Sequence, residues 1–212
     1  MNRREALKIA TIIGAAAAIP KELLSMVSEK KPMHIIGFGG AGSSFVKYAQ
    51  AQGLKAKYTC ISDPVEEDFP PDVNFIRFQP PPEVVSLNTD ELLLRSDMSI
   101  PLEVPDAIYE LFAPDDQYVI VAGLGGYTGT FFIEHFGDWL TVNKKSYTAL
   151  CSLPFTFERG SKRKYIKSVH EKFNSNPNFH FIPLSNYRAI NGDLPITDFF
   201  EVIHKEFLSW IV

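Results

Sequence analysis

Cysteine is scarce in this sequence, which limits the chemistry that the chain supports. The 212 residues include two cysteines, Cys60 and Cys151, and each closes a short apolar run typical of a buried strand. This placement favours buried thiols over a disulfide or a metal site. The five histidines show no spacing of the kind that binds a metal ion. Neither cysteine-based redox chemistry nor a protein-ligated metal is therefore expected.

Clustered positive charge is also lacking. The net charge is −4, and the basic residues are scattered except around residues 162–167. The sequence therefore shows no electrostatic footprint for DNA or RNA, and a nucleic-acid partner is not expected. A hydrophobic share of 45% and a charged share of 22% are ordinary for one soluble globular domain.

The N-terminal apolar run, Ile9–Ile19, is too short to span a membrane. It follows a basic start with Arg3 and Arg4 and contains small residues, which is the plan of a secretory signal. The segment resembles a twin-arginine signal, although Ala6 stands where that family usually carries a bulky apolar residue. An N-terminal helix is the alternative. Residues 1–30 are thus expected to be a signal-like or helical extension.

The extension leaves the location of the protein open. A cleaved signal of about 27 residues implies export by the twin-arginine route. The other expectation is a cytoplasmic protein, or one associated with a membrane through its N-terminus.

Alternating strand and helix patterns follow the extension. Short apolar runs predict strands at residues 33–38, 57–61, 74–78, 118–122, 146–151 and 179–182. Helical spacing predicts helices at residues 43–52, 105–112, 129–140, 162–173 and 197–210, whereas the proline-bearing residues 79–105 are expected to be irregular. The pattern indicates an α/β fold, a three-layer, doubly wound, Rossmann-like domain with a mostly parallel sheet of about six strands. Ligands of such sheets bind at the carboxyl ends of the strands.

Two glycine-rich segments each follow a predicted strand. The first, Gly37-Phe-Gly39-Gly-Ala-Gly42, fits the G-x-G-x-x-G pattern, and Asp63 lies about 20 residues later, where a ribose-binding carboxylate is expected. The second, Gly123–Thr130, leads from a β-branched strand into a helix whose N-terminus favours an anion. If the sheet is doubly wound, the two strands are neighbours at the topological switch point. Both segments then share one polyphosphate.

These segments resemble the tubulin/FtsZ family. Gly39-Gly-Ala-Gly-Ser43 is similar to its first glycine loop, and Gly125-Gly-Tyr-Thr-Gly-Thr130 is similar to its GGGTGTG motif. Pro154-Phe-Thr-Phe-Glu158 resembles the family's PFxFE segment. Ile182-Pro-Leu-Ser-Asn186 resembles its IPND strand end, and Leu194-Pro-Ile-Thr-Asp-Phe-Phe200 resembles the start of its central helix.

The resemblance implies that residues 31–212 are a tubulin/FtsZ-like nucleotide-binding domain that holds GTP or GDP, with Mg²⁺ as an accompanying ion. It places Glu158 at the ribose and Arg163 near the family's nucleotide-binding arginine. It also places Phe200 where an aromatic ring stacks on guanine, and His204 or Lys205 where the edge of guanine is read. The expected nucleotide-binding residues are Gly39, Gly40, Ala41, Gly42, Ser43, Asp63, Gly125, Gly126, Tyr127, Thr128, Gly129, Thr130, Glu158, Arg163, Asn186, Phe200 and His204.

Departures from the family pattern shape the expected function. Tyr127 replaces a glycine, Phe131 follows the motif in place of another, and residues 79–105 lack the glycines of the family's γ-phosphate loop. The sequence ends at Val212, just after the central helix, so the family's second domain is expected to be missing. Part of the hydrolytic machinery comes from a neighbouring subunit in that family, so we expect nucleotide binding or assembly, by self-association or with an FtsZ-like partner. Little hydrolysis by the chain alone is expected.

Two other functions remain open. The G-x-G-x-x-G pattern with Asp63 also fits a Rossmann-type NAD-dependent oxidoreductase, which leaves Gly125–Thr130 unexplained. The bulky Tyr127 and Phe131 fit an interaction module that has kept the fold and no longer binds nucleotide.

Overall fold

Six parallel strands form the centre of the fold. The computed structural model of the chain describes residues 31–63, 69–78, 104–157, 160–192 and 194–211. The strands are β1 (Met33–Phe38), β2 (Lys57–Ser62), β3 (Val73–Arg77), β4 (Gln117–Gly123), β5 (Tyr147–Leu153) and β6 (Phe179–Pro183). Their order in the sheet is β3-β2-β1-β4-β5-β6, and every pairing is parallel. The predicted doubly wound sheet of about six strands is therefore confirmed.

Some sequence predictions fall outside these ranges. They are the signal-like extension at residues 1–30, most of the irregular segment expected at residues 79–105, and Glu158. Arg163 lies within a described helix, and only its backbone is described. The proposed roles of Glu158 and Arg163 thus stay predictions.

The strand order reverses between β1 and β4. The chain builds outward from β1 through β2 to β3 and then returns to place β4 on the other side of β1. Phe38 at the end of β1 pairs with Ala122 of β4. This pairing confirms the prediction that the two strands are neighbours in the sheet. Both glycine segments therefore leave the sheet at the same edge.

Helices connect the strands and cover both faces of the sheet. Those described are α1 (Gly39–Ala51), α2 (Asp106–Glu110), α3 (Tyr127–Val142), α4 (Gly160–Phe173), α5 (Leu184–Ile190) and α6 (Ile196–Ser209). The helices predicted at residues 105–112, 129–140, 162–173 and 197–210 correspond to α2, α3, α4 and α6. Among the residues in the described ranges, no helix has both the length and the apolar character needed to cross a membrane.

The sheet separates two hydrophobic cores. Successive side chains of a strand point to opposite faces, so Ile35 of β1 packs in one core and Ile36 in the other. The first core contains side chains of α2, α3 and α4, such as Phe132. The second contains side chains of α1, α5 and α6, such as Phe45 and Phe199. This arrangement is the predicted three-layer architecture.

The two cysteines lie within these cores. Cys60 and Cys151 are both buried, as the sequence predicts. Burial raises the pKa of the Cys151 thiol well above its usual range, because an apolar environment disfavours the thiolate. The thiol therefore stays protonated and packs as a small apolar group.

The first glycine segment forms the start of a helix, which corrects the prediction. The sequence predicts a loop followed by a helix from residue 43, but α1 already begins at Gly39. The low helix propensity of glycine conceals this start in the sequence. The first turn tolerates glycine because its N–H groups have no partner within the helix. Gly39 itself has a φ of +68°, a conformation that favours glycine.

A second correction concerns the segment after β6. The strand predicted at residues 179–182 is present as Phe179–Pro183, but the sequence did not predict α5, which begins at Leu184. Proline has no N–H group for the ladder, which makes it a natural end for the strand. Asn186 therefore lies on α5, where it is exposed.

His34 makes the stability of the fold sensitive to acid. Its Nε2 atom lies 2.9 Å from Thr59 Oγ1, and burial lowers the pKa of His34 to about 4, against a smaller opposing effect of Asp116. The unfolded value is near 6.5, so the folded state holds the neutral ring. The contribution of the neutral His34 ring to the stability of the fold is complete above pH 6.5 and is lost as the pH falls towards 4. Lowering the pH from 7 to 5 should cost about 2 kcal/mol of unfolding free energy.

Urea unfolding at pH 7 and pH 5 measures this effect. Carboxylates and other histidines also titrate in acid, so the informative quantity is the difference between the wild type and His34→Gln, which has no charge to gain. We expect the wild type to lose about 2 kcal/mol more than the variant between the two pH values. An equal loss in both proteins would show that His34 is not the sensitive group.

Candidate functional site

A cleft of about 410 Å³ lies at the carboxyl ends of the strands. Residues that end or directly follow β1, β2, β4, β5 and β6 line it, which is where doubly wound sheets bind ligands. The lining residues are Phe38, Gly39, Gly40, Ala41, Ser62, Gly123, Leu124, Gly125, Gly126, Tyr127, Thr128, Gly129, Ser152, Pro154, Phe155, Leu184 and Phe200. The cleft thus contains both glycine segments.

The two glycine segments approach each other closely at the base of the cleft. A Cβ atom added at Gly39 would lie 3.3 Å from the backbone nitrogen of Gly129. One added at Gly123 would lie 2.8 Å from the Cβ of Ala41, and one at Gly129 would lie 3.4 Å from the carbonyl oxygen of Phe38. The contact between the segments therefore depends on the missing side chains of these glycines.

Two other glycines of the cleft have free space beside them. A Cβ atom added at Gly40 or Gly126 would meet no heavy atom within 4 Å. Packing therefore does not require glycine at these positions. Instead, their small size leaves open space beside the backbone on the cleft wall.

Helices α1 and α3 both direct their N-termini towards this region. Their N-cap residues, Phe38 and Gly126, make no side-chain capping hydrogen bond, and neither first turn contains an acidic residue. The first N–H groups of a helix lack intrahelical acceptors and carry partial positive charge. Two such ends in one cleft form an environment suited to a polyphosphate.

Thr130 supports the second glycine segment from within. Its Oγ1 accepts a hydrogen bond from the N–H of Gly125 at 3.0 Å and donates one to the carbonyl oxygen of Gly126 at 2.7 Å. The side chain is almost fully buried. Thr130 thus holds the turn in shape, including Gly125 with its φ of +122°.

Serine side chains contribute polar groups that the sequence prediction missed. Ser62 ends β2 and Ser152 lies near the end of β5, and both are buried residues that line the cleft. The only signal for either residue is a single polar residue at the end of an apolar run. Such a signal becomes informative once the strand order is known.

Apolar and aromatic side chains form the other side of the cleft. Phe155 packs against Phe199 at 5.7 Å between ring centroids, and Phe200 packs edge-on against Phe199 at 5.5 Å. Phe200 lines the cleft while 37% of its surface stays exposed. The loop after β5 is held to α5 by a hydrogen bond from the Thr156 N–H to Ser185 Oγ at 2.7 Å.

Other predicted site residues are not among the residues that line the cleft. Gly42 packs against β4, and Asp63 is exposed just after β2. Ser43 is buried, and Asn186 is exposed on α5. His204 contacts the ring of Tyr48 at 5.1 Å, and burial lowers the pKa of His204.

Tyr127 is the first residue of α3 and lines the cleft. Its ring stacks nearly parallel on that of Phe131, with an interplanar angle of 3°. Its hydroxyl is buried without a hydrogen-bond partner. Burial raises the pKa of Tyr127 to about 12, so the hydroxyl keeps its proton at neutral pH.

The charge and metal-binding capacity of the site follow from its lining. None of the described lining residues carries a charged side chain. Within the described ranges, no group of three or more His, Cys, Asp or Glu side chains could hold a metal ion. The cleft presents backbone N–H groups, hydroxyls and apolar surface.

No protein-family model matches the chain, and no curated protein matches it either. Solved structures, in contrast, share its fold. The chain is similar to an empty FtsZ dimer from M. jannaschii, with 21% identity and a TM-score of 0.61 over 88% of this chain and 55% of that one. The fold is tubulin/FtsZ-like.

Two further structures show the same FtsZ-like fold. CetZ1 from Haloferax volcanii, a GDP-bound monomer, has 18% identity and a TM-score of 0.57, covering 84% of this chain and 58% of that one. A TubZ subunit from bacteriophage PhiKZ has 12% identity and a TM-score of 0.55, covering 84% of this chain and 60% of that one. The chain therefore spans little more than half the length of these structures.

Proposed function

We propose that the chain binds a guanine nucleotide in the cleft at the carboxyl ends of the strands. The observation that carries this proposal is the meeting of two glycine segments, each at the start of a helix, at neighbouring strand ends. The GDP-bound state of CetZ1, which has the same fold, supports the choice of ligand. The phosphates lie against residues 39–41 and 125–129, and the base extends towards Phe200.

The glycine geometry fits phosphate binding. Gly40 and Gly126 expose backbone to the cleft, and no atom occupies the space that their side chains would fill. N–H groups bind phosphate oxygens strongly because such hydrogen bonds are charge-assisted. An Mg²⁺ ion bound with the nucleotide would take most of its oxygen ligands from phosphates and water.

The apolar side of the cleft fits a base. Phe200 is partly exposed and lines the cleft together with Phe155 and Leu184. A flat ring that stacks there buries apolar surface at little cost in conformational entropy, since packing already holds these side chains in place. Contacts of Asn186, Arg163 and His204 with the nucleotide stay predictions.

The proposed mode of action is binding or assembly. The groups that the described cleft offers bind and orient a nucleotide, whereas hydrolysis requires a positioned water and charge stabilisation in addition. We therefore propose that the chain alone hydrolyses GTP slowly. Assembly with further copies, or with an FtsZ-like partner, is part of the same proposal.

A thermal-shift titration with GDP, GTP and NAD tests the ligand. A ligand at 100 times its dissociation constant stabilises the folded state by about 2.7 kcal/mol, which raises the melting temperature of a domain of this size by roughly 5–10 °C. We expect this shift with GDP and GTP. The absence of a shift with any nucleotide would favour an interaction module.

A nicotinamide cofactor is the second candidate because of one observation. Asp63 lies just after β2, directly beside β1 in the sheet, and is exposed. Rossmann folds of the same strand order place a ribose-binding carboxylate near this position. A thermal shift with NAD in place of the guanine nucleotides would establish this alternative.

Export or membrane association through residues 1–30 remains a separate proposal. It rests on the paired Arg3 and Arg4 and the apolar run that follows. Fractionation of cells that express the full chain tests it. Detection of a shortened protein outside the inner membrane would support export and argue against a cytoplasmic assembly role.

A further inference from the structure

A groove of about 450 Å³ runs along the face of α3 that points away from the sheet. Among the described residues, it shares no lining residue with the cleft at the carboxyl ends of the strands. Lys172 of α4 borders it on one side. The residues of α3 that line this α3 groove are Phe131, Glu134, His135, Asp138, Trp139 and Val142.

Helix α3 carries little charge for a helix of an outer layer. Two of its 16 residues, Glu134 and Asp138, are acidic, none is Lys or Arg, and both acidic residues line the groove. Half-buried aromatic rings occupy much of the same face, and Val142 is 78% exposed. A surface helix normally presents a polar face to water. Apolar surface left open in this way is typical of an interaction site.

Contacts within the protein hold the aromatic side of the α3 groove in place. The His135 ring stacks on that of Phe131 at 5.8 Å between centroids, and its Nε2 atom lies 2.6 Å from the Tyr109 hydroxyl oxygen. The Trp139 ring packs against that of Tyr109 at 5.7 Å. A ligand would therefore meet an ordered surface, which lowers the entropic cost of binding.

The polar side of the α3 groove has a net negative charge. Lys172 Nζ lies 2.5 Å from Asp138 Oδ2 and 3.4 Å from Glu134 Oε1, so one cation serves two carboxylates. Burial lowers the pKa of His135, which leaves its ring neutral at pH 7. The side chain of Asp138 is 52% exposed, so its carboxylate is accessible to a further donor. The groove therefore favours a ligand with positive charge.

We propose that the α3 groove binds a short helical segment of a partner protein, which carries apolar residues and an arginine on one face. The apolar residues pack on Trp139 and Val142. The arginine pairs with Asp138 and Glu134, because a guanidinium group binds carboxylates and also stacks on aromatic rings. The span from residue 131 to residue 142, about 16 Å at the rise of a helix, matches about three turns of such a segment.

Selection from a phage-displayed library of random peptides tests the proposal on the full chain. Peptides of about 15 residues are long enough to form three to four helical turns. We expect the selected peptides to share an arginine three or four positions from a leucine or an aromatic residue, which places both on one helix face. An acidic consensus, or no enriched sequence at all, would overturn the proposal.

Val142→Lys should weaken binding of a selected peptide at least roughly 10-fold. The new ammonium group repels the arginine and removes an apolar contact, and a loss of about 1.4 kcal/mol corresponds to this factor. The fold should be retained, because Val142 is largely exposed and a cation suits the last turn of a helix. The fluorescence of Trp139 reports binding in a Trp210→Phe background, since the chain contains no other tryptophan.

Ile190→Lys is the matched control. Ile190 is 82% exposed at the end of α5 and does not line the α3 groove, so this variant should bind the peptide like the wild type. Equal affinities of Ile190→Lys and Val142→Lys would show that the peptide binds elsewhere.

Asp138→Asn tests the charge with little change in shape. It should weaken the peptide roughly 2- to 5-fold, as expected for a partly exposed ion pair. It should have no effect on a peptide in which glutamine replaces the arginine. An equal effect on both peptides would refute the pairing with arginine. No step of these experiments requires a nucleotide, so this proposal and the proposed nucleotide binding fail independently.

Discussion

Gly42→Ala is expected to destabilise the domain severely, by about 3–5 kcal/mol. The added Cβ would overlap the carbonyl oxygen of Val121 and would lie 2.8 Å from the Cα of Gly37. Both contacts are with backbone, which cannot rotate away as a side chain does. An added methyl group that overlaps its neighbours in a packed interior costs roughly 1–3 kcal/mol when the neighbouring side chains can move. A clash with backbone is not relieved in this way, so a larger loss of stability is expected. Urea unfolding measures the change.

Gly40→Ala is the matched control in the same helical turn. Its Cβ would meet nothing within 4 Å, and alanine favours a helix over glycine by roughly 0.5–1 kcal/mol. The variant should therefore be as stable as the wild type or slightly more stable. If Gly42→Ala unfolded at the same urea concentration as Gly40→Ala, the close approach of α1 to β4 would be contradicted.

Gly126→Val is expected to abolish nucleotide binding while the fold is retained. The backbone of Gly126 is extended, with φ −84° and ψ 154°, a conformation that suits a β-branched residue. Its side chain would occupy free space in the cleft, where it would keep phosphates from the N–H groups. The loss of two charge-assisted hydrogen bonds corresponds to at least a 100-fold weaker affinity for GDP. Calorimetric titration measures it.

Ala51→Val is the control for this experiment. Ala51 is exposed at the end of α1 and does not line the cleft, so the variant should bind GDP like the wild type. Circular dichroism melting of both variants verifies that each is folded. If Gly126→Val kept the affinity of the wild type, the phosphates would have to bind elsewhere.

The strands were the most predictable part of the fold. Each is a short apolar run, and a strand buried on both faces shows such a run directly in the sequence. The run of β1, for example, appears in full and ends at the observed residue, Phe38. The pairing of β1 with β4 followed from the general rule for doubly wound sheets, since no single residue specifies it.

The helix boundaries were less predictable for a physical reason. The start of α1 consists of glycines, which have low helix propensity, and its helical state comes from packing against β1 and β4. Helix α5 was missed because a proline and a short polar segment, Ser185 and Asn186, resemble a turn. Tertiary contacts thus override local preference at both places.

The parts of the site that are formed by backbone could be predicted from the sequence. The glycine segments could be recognised in the sequence because few other residues allow such close approach of two backbone segments. Ser62 and Ser152 could not be recognised, because a lone serine has many structural roles and only the strand order brings these two residues into one cleft. The unpaired hydroxyl of Tyr127 likewise becomes visible only in three dimensions.

The most direct test of nucleotide binding is the nucleotide content of the full chain, purified without added nucleotide. Acid extraction followed by ion-exchange chromatography identifies any bound nucleotide, and titration of the emptied protein with GDP measures rebinding. We predict a guanine nucleotide in the extract and saturable rebinding of GDP at one molecule per chain. An empty extract together with no binding of GDP or GTP would contradict the account.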